Sequence, residues 1–423
     1  MKFIADLHVH SRFSRATSKN LDLEHLYVSA QLKGITVVAT GDITHPEWFK
    51  EISEILEPAE PGLYRLKKNI EKNCDEQVPL SCRSNVRFVL NAEISSIYKK
   101  MGKNRKNHNL VFLPDLAVAE SFNRKLARIG NIISDGRPIL GLDARNLLEI
   151  LLETSDQAFL VPAHIWTPWF SLLGSKSGFD SIKECFDDIS SYIFAVETGL
   201  SSNPAMNWRV SFLDGLTLMS NSDAHSPDKL GREANIFNTD LSYYDMKKAL
   251  QYRDSRTFLG TYEFYPEEGK YYFDGHRNCS IRFSPEMTLS YGGKCPLCNK
   301  PLTIGVLNRV EELCDRKEGE KPQNTSPFYS IIPLKEILSE IYKVGSSSQK
   351  VMQHYQHSLH VLGSELAILG SITLSDIELA GIPMLKEAVK RMREGNIHIV
   401  QGYDGEFGKI QIFTEIEKKQ FRR

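Results

Sequence analysis

The sequence predicts an α/β protein in three parts: a barrel-like domain over residues 1–262, a small cysteine-bearing module over 263–325 and a mainly helical region over 326–423. Three observations carry that division. Short apolar runs alternate with amphipathic stretches as far as residue 262, the pattern of an α/β domain. Around Tyr262 to Asp274 the composition shifts to Tyr, Glu, Gly and Lys without helical periodicity, and a cysteine-bearing segment follows. After Thr325-Ser326-Pro327, apolar residues recur at helical spacing through Leu359, Leu362, Leu366 and Leu369, past a break at Gly345-Ser346-Ser347-Ser348. A chain of 423 residues also exceeds what one hydrophobic core usually organises.

In chain order, the pattern predicts strands at 3–7, 36–40, 87–94, 109–113, 158–162, 193–197, 216–220 and 257–260. Helical patterns at 23–33, 116–129, 145–153 and 243–251 fall between them. Lys99, Lys100, Lys103, Arg105 and Lys106, broken by Gly102 and Asn104, predict an exposed basic loop over 95–107. Strands 87–94 and 109–113 read as antiparallel partners joined by that loop.

Composition narrows the functional classes. Hydrophobic residues at 41% and charged residues at 25% are ordinary for a soluble globular chain. No apolar run approaches the roughly 20 residues that cross a bilayer. The N-terminus MKFIADLHVH carries ionisable groups where a signal peptide stays apolar, so a cytoplasmic protein without a membrane partner is expected. Seven cysteines, odd in number and mostly isolated, argue against a disulfide framework. A formal net charge of −1 supplies no global field for nucleic acid, so such a partner depends on local patches like the basic loop.

The informative feature is the placement of ionisable residues at strand ends. Strand 3–7 runs into Asp6-Leu7-His8-Val9-His10, 36–40 into Gly41-Asp42, and 87–94 contains Glu93 near its end. Strand 158–162 leads to His164, 193–197 ends at Glu197, and 216–220 leads to Asn221-Ser222-Asp223-Ala224-His225. In barrel-like α/β folds those ends surround one pocket. His108 precedes its strand, but antiparallel pairing puts it beside Glu93. Strand alternation places the imidazoles of His8 and His10 on one face, two residues apart, which suits chelation. Mixed imidazole and carboxylate ligands suit zinc, manganese or iron, and a bridging carboxylate such as Glu93 can hold two ions about 3.5–4 Å apart.

The strings Asp6-Leu7-His8-Val9-His10-Ser11, Thr40-Gly41-Asp42, Asn91-Ala92-Glu93, His164 after Pro162-Ala163, and Ser222-Asp223-Ala224-His225 resemble the motifs of the polymerase and histidinol phosphatase (PHP) superfamily over residues 1–262. The resemblance implies a PHP-type distorted (β/α)7 barrel that binds two or three divalent ions, zinc, manganese or magnesium. It implies His8, His10, Glu93 and Asp223 on a first ion, Glu93, His108 and His164 on a second, and His225 with Asp42 on a third. Asp223, Glu93 and His225 are the implied catalytic residues. In the commoner pattern a further His follows the first motif by about six residues and another follows the Asp of the second. Here Ala16 and Ile43 occupy those places, and Glu197 and His45 are the substitutes at hand.

His276-x-x-Cys279 followed by Cys295-Pro296-Leu297-Cys298 gives two ligand pairs about fifteen residues apart, the spacing of a tetrahedral structural zinc. Cys314 rivals His276 as the fourth ligand, but it ends the helical run Val310-Glu311-Glu312-Leu313, where a small core residue is expected. The order of these parts, with Gly275-His276-Arg277-Asn278-Cys279, Pro301-Leu302-Thr303-Ile304-Gly305-Val306 and Gly402-Tyr403-Asp404-Gly405, is similar to the endonuclease Q family of DNA-repair nucleases across nearly the whole chain. That resemblance implies damaged DNA as partner, a helical DNA-binding C-terminal domain, and a nick immediately 5′ of uracil, hypoxanthine or xanthine and at abasic sites, leaving 3′-hydroxyl and 5′-phosphate ends. Lys103, Arg105 and Lys106 are then expected on DNA phosphates, and Trp166, Trp169 and Phe170 on an extruded base or its neighbours. No protein partner is indicated. A small-molecule phosphatase of the histidinol phosphatase type leaves about 160 C-terminal residues without a role, and a non-catalytic DNA-binding scaffold is at odds with so full a ligand set.

Overall fold

The structure, a computed structural model, describes residues 1–420. Its strands are β1 (Lys2–Asp6), β2 (Val37–Ala39), β3 (Leu56–Pro58), β4 (Tyr64–Leu66), β5 (Arg87–Lys100), β6 (Lys103–Leu113), β7 (Ile139–Leu140), β8 (Phe159–Pro162), β9 (Ala195–Glu197), β10 (Thr217–Met219), β11 (Ala234–Asn238), β12 (Phe258–Glu263), β13 (Asp274–His276), β14 (Ile281–Phe283), β15 (Phe328–Ser330), β16 (His398–Val400) and β17 (Lys409–Gln411). The main sheet is mixed, in the order β15-β12-β11-β1-β2-β5-β4-β3, with β6 pairing β5 and β8. Strands β2 and β8 are apolar runs buried end to end, Val37-Val38-Ala39 and Phe159-Leu160-Val161-Pro162, as expected of strands enclosed on both faces.

Helices start where a side chain can satisfy the free N–H groups of their first turn. Asp22 caps Leu23–Lys33, Asp115 caps Leu116–Ala127, Asp143 caps Ala144–Thr154 and Ser242 caps Tyr243–Tyr252. Among the described residues no helix is long and apolar enough to cross a membrane.

The strands do not form one continuous barrel ladder. β9 and β10 make a separate parallel pair. Single contacts at one rim tie that pair in: Ile165 N donates to Glu197 O at 3.0 Å on the β8 side, and a Val9–Ala224 bridge joins the far side to β1. β11 lies centrally between β1 and β12, although no strand is expected there. Asn235 at a buried position interrupts its apolar run, and its amide binds Ser220 O and Asn221 Oδ1 instead of solvent.

The basic segment expected as a loop is a hairpin. β5 and β6 stay in register from Leu90–Leu113 out to Lys100–Lys103, turning at Met101-Gly102, where both residues have positive φ.

The C-terminal helices continue the main core rather than forming a detached one. Glu365, almost fully buried, accepts from Lys33 Nζ at 2.7 Å, Tyr355 OH at 2.7 Å and Leu334 N at 3.0 Å. Removing one partner of such a buried pair costs about 3–5 kcal/mol. The cysteine module keeps its own small core of Phe283, Cys295 and Leu302. Asp274 binds it to its own helix Val306–Leu313, the carboxylate accepting from Gly305 N and Asn308, and Val306 and Val310 of that helix pack into the main core.

Among the fully buried carboxyls for which the described residues supply no salt bridge are Glu233 and Glu263. Glu263 accepts from Thr261 and Thr198, Glu233 accepts from Phe264 N, and Glu233 Oε2 has no hydrogen-bond partner among the described residues. Burial pushes the Glu263 carboxyl up to about 8 and raises Glu233 well above the usual range, so folding favours the protonated form of both. An unfolded chain releases the Glu263 proton near the ordinary value of 4.5. The stability this proton contributes is complete below that value and is lost as pH rises to about 8. Glu263→Gln, which keeps the shape without the titration, is expected to flatten the fall in melting temperature between about pH 5 and 8. Parallel curves for wild type and variant would remove this pair from the pH response.

Candidate metal centre

The Val9–Ala224 bridge assembles the first half of the site. His10 N donates to Ala224 O at 3.1 Å and Ala224 N to His8 O at 3.4 Å, so the two imidazoles after β1 face the acidic segment after β10. Pairing of Ser95 with His108 and of Glu93 with Leu110 brings the second half to the same place. Asp42, His164 and Asp223 all have positive φ, a conformation non-glycine residues adopt rarely and that clusters at functional sites. Gly41 before Asp42 is obligatory, since a Cβ there would lie 2.3 Å from Val9 O.

Two groups of ligand atoms result, each with all atoms within 4.8 Å of one another: His8, His10 and Asp223, and Glu93, His108 and His164. His10 Nε2 is 3.1 Å and His8 Nε2 3.5 Å from Asp223 Oδ1. In the other group Glu93 Oε1 is 2.7 Å from His108 Nδ1 and 3.0 Å from His164 Nε2. Glu93 faces both, because its Oε2 lies 3.4 Å from His10 Nε2 and 3.8 Å from His8 Nε2. Ligand bonds of about 2.1 Å set neighbouring donor atoms roughly 3.0–3.4 Å apart, so this donor set fits divalent ions. His8 Nε2 supports that fit, being buried without a hydrogen-bond partner among the described residues.

Carboxylates behind the imidazoles fix their orientation. Glu197 holds His8 Nδ1 at 3.0 Å and Asp42 holds His10 Nδ1 at 3.1 Å, leaving each Nε2 aimed inward, the outer arrangement usual for metal-binding histidines. Burial alone would depress His8, but Glu197, Asp223 and Glu93 hold it well above its ordinary value. Burial is likewise overcome at His10, where Asp42 and Asp223 push the imidazole up to about 9. At Glu93 burial is outweighed by His108, Arg137 and His8, and at Asp223 by His8 and His10, so both carboxyls fall well below their usual range. His108 goes the other way, lowered to about 4 by burial. The carboxylates thus demand positive charge, which protons on His8 and His10 supply here and ions can supply instead.

Several expected site residues stand elsewhere in the geometry. Asp42 is spent on His10, Ser11 and Ser14, and both its oxygens are engaged, so it lies behind a ligand rather than among the ligands. His225 packs edge-on to His10 with centroids 4.6 Å apart, and neither it nor Asp42 enters a group of three ligands among the described residues. The two substitutes are engaged as well, Glu197 with His8 and His45 with Ile133 O. Arg105 is buried, donating to Gly178 O with its guanidinium 4.1 Å from the Phe179 centroid, so it braces the hairpin instead of meeting DNA. Trp166 is fully buried and donates to Asn207, which removes it as a stacking platform. Trp169 is 42% exposed, Phe170 lies against His108, Lys103 is exposed and Lys106 sits over Phe170. Sequence reasoning misses Arg137, whose Nη1 donates to Glu93 Oε2 at 3.0 Å from a turn with no strand-end signature. The string Ser134-Asp135-Gly136-Arg137 announces a turn but not what the turn faces.

In the cysteine module His276, Cys279, Cys295 and Cys298 form a third group within 4.8 Å, with Cys298 Sγ 3.6 Å from His276 Nδ1. Cys314 lies apart, its thiol near Arg209 and Glu311. Arg309 connects this module to the first site. It donates to Leu173 O at 3.0 Å and Phe179 O at 3.1 Å in the segment that starts at His164, and Phe170 O of that segment accepts from His108 N at 3.1 Å.

Comparison with known proteins adds a family match, two relatives and two solved structures. A family model described as the MJ0043 C-terminal domain matches residues 333–396. The uncharacterised protein YqxK of Bacillus subtilis is 30% identical over 97% of this chain and 99% of its own length. The uncharacterised protein MJ0043 of Methanocaldococcus jannaschii is 34% identical over 58% of this chain, which spans about a third of that relative's length (31%). Among solved structures, the lesion-specific endonuclease PfuEndoQ of Pyrococcus furiosus superposes with a TM-score of 0.85 at 30% identity, covering 99% of this chain and 97% of that one. An endonuclease Q complex with a 27-mer duplex bearing an abasic lesion at the active site gives 0.83 at 30% identity, covering 98% of each chain.

Proposed function

This chain belongs to the endonuclease Q family, and from that membership and the geometry of its ligand groups we propose that it is a metal-dependent DNA endonuclease acting in the cytoplasm on damaged DNA. The observation that carries the reading is Glu93, one carboxylate facing two ligand groups at once. Divalent ions held there, zinc, manganese or magnesium, supply activated water and neutralise charge at a phosphodiester. His8, His10, Glu93 and Asp223 bind the first ion and Glu93, His108 and His164 the second. His225, half-exposed at the rim, is the group placed to move a proton at the leaving oxygen. The substrate is duplex DNA with uracil, hypoxanthine, xanthine or an abasic site, nicked on the 5′ side to leave 3′-hydroxyl and 5′-phosphate ends. Extruding a base costs a few kcal/mol, least where pairing is already poor, and Trp169 and Phe170 offer stacking faces at the mouth. We read the rim of seven strands as a distorted (β/α)7 barrel over residues 1–262, followed by a zinc module to 325 and a DNA-binding helical domain.

Labelled duplexes with one defined lesion test the reading directly, and substrate strands left intact after incubation with manganese or zinc would sink it. Asp223→Asn is expected to cut nicking by more than the roughly 10- to 100-fold that loss of an outer partner costs, with reduced metal content in a protein that still folds. Cys295→Ser with Cys298→Ser should lower both zinc content and melting temperature, because binding there is coupled to folding. A double variant with full zinc content would refute the ligand assignment. Replacing Lys99 and Lys103, the exposed cations of the hairpin, with Gln should weaken binding to damaged and intact duplex alike and flatten the salt dependence by up to about two counterions. A loss confined to damaged DNA would mean that the hairpin reads the lesion.

A further inference from the structure

The guanidinium of Arg137 has more hydrogen-bonding capacity than the protein uses. Its Nη1 donates to Glu93 Oε2 at 3.0 Å, while Nε and Nη2 have no protein partner among the described residues and are not sealed from solvent. The side chain is 25% exposed. Neutralising Glu93 takes one bond, yet a guanidinium presents five N–H donors in a planar fork that matches two oxygens of a phosphate.

The turn that carries this residue is held firmly. Asp135 accepts from Arg137 N at 3.1 Å and Arg15 N at 3.3 Å, and pairs with Arg15 Nε at 3.2 Å. Gly136 N donates to Phe13 O, and a Cβ on Gly136 would meet Asp42 Oδ2 at 2.2 Å, so the backbone is seated directly on the site. The charge of Arg137 reaches Asp223, His108 and His225 as well as Glu93. It is therefore a fixed cation facing both ligand groups, in a pocket whose carboxylates would otherwise repel an anion.

We propose that Arg137 is the phosphate-binding residue of this site: Nη1 stays on Glu93 while the Nε–Nη2 edge takes two non-bridging oxygens of the substrate phosphate. That the phosphate belongs to a DNA strand rests on the endonuclease reading; the anion site itself does not.

Calorimetric titration of the manganese-loaded protein with inorganic phosphate tests it, beside a separate titration of the ion-free protein with manganese. Arg137→Ala should weaken phosphate binding to the manganese-saturated protein roughly 10- to 100-fold and keep the manganese stoichiometry, with any change in manganese affinity too small to account for that loss. Arg137→Lys, which keeps the charge without the fork, should recover only part of the loss. Equal phosphate affinity in wild type and Arg137→Ala overturns the proposal, as does a fall in manganese affinity that accounts for the whole phosphate effect. If Arg137→Ala does not fold, Arg137→Lys decides, and full phosphate affinity in that variant overturns the fork. Failure of the wild type to nick lesion duplexes would remove the endonuclease reading and leave these titrations standing.

Discussion

The structure is organised around one buried carboxylate. Glu93 is almost wholly enclosed, yet each of its oxygens faces a different set of imidazoles, with Arg137 on one side. A carboxylate so placed is tolerable only where positive charge is guaranteed. The surrounding imidazoles and a guanidinium supply it, and divalent ions are the natural replacement for their protons. Once that requirement is set, β5 and β6 must be hairpin partners, and the ends of β1 and β10 must meet.

Rigidity around that point comes from polar groups as much as from apolar packing. Asn91 donates to Leu7 O and accepts from Gly41 N, and Asn221 accepts from Leu7 N while donating to Glu197, so the loops carrying His8, Asp42 and Asp223 are cross-braced by buried amides. Each such amide makes its bonds inside the protein, which is the condition for a buried polar network to stabilise rather than weaken a core. Glu233 and Glu263 extend the tier downward as buried acids whose surroundings favour the protonated form.

The second ligand group depends on parts of the chain far from it in sequence. The segment after His164 is clamped from one side by Arg309, on the helix Val306–Leu313 of the cysteine module, and from the other by the β6 hairpin. The module that gathers His276 and three cysteines is thus mechanically continuous with the loop that presents His164. This gives the small domain a physical role in the geometry of the large one, through a buried arginine and backbone carbonyls, without any contact between the two sets of ligands.

Local signals in the chain already determine a good deal. The helix over residues 23–33 reads from its Asp22 cap and Gly34 stop, and His8-x-His10 after an apolar run reads as chelating because strand alternation is a local rule. The pairing of His276 and Cys279 with Cys295 and Cys298 is likewise a matter of spacing. Burial and approach between distant segments are not local, and tertiary structure alone decided them. Arg105 and Trp166 look like surface groups in their local strings, but Phe179 and Asn207 from later segments enclose them. Asp42 looks like a ligand until Ser11 and Ser14 take its outer oxygen, and Arg137 looks like an ordinary turn residue until the fold places Glu93 beneath it. β11 escapes notice for the same reason: its Asn235 reads as polar surface and becomes core only because Ser220 and Asn221 satisfy its amide. A chain announces which side chains can bind, but which of them remain free to bind depends on the partners that folding brings to each.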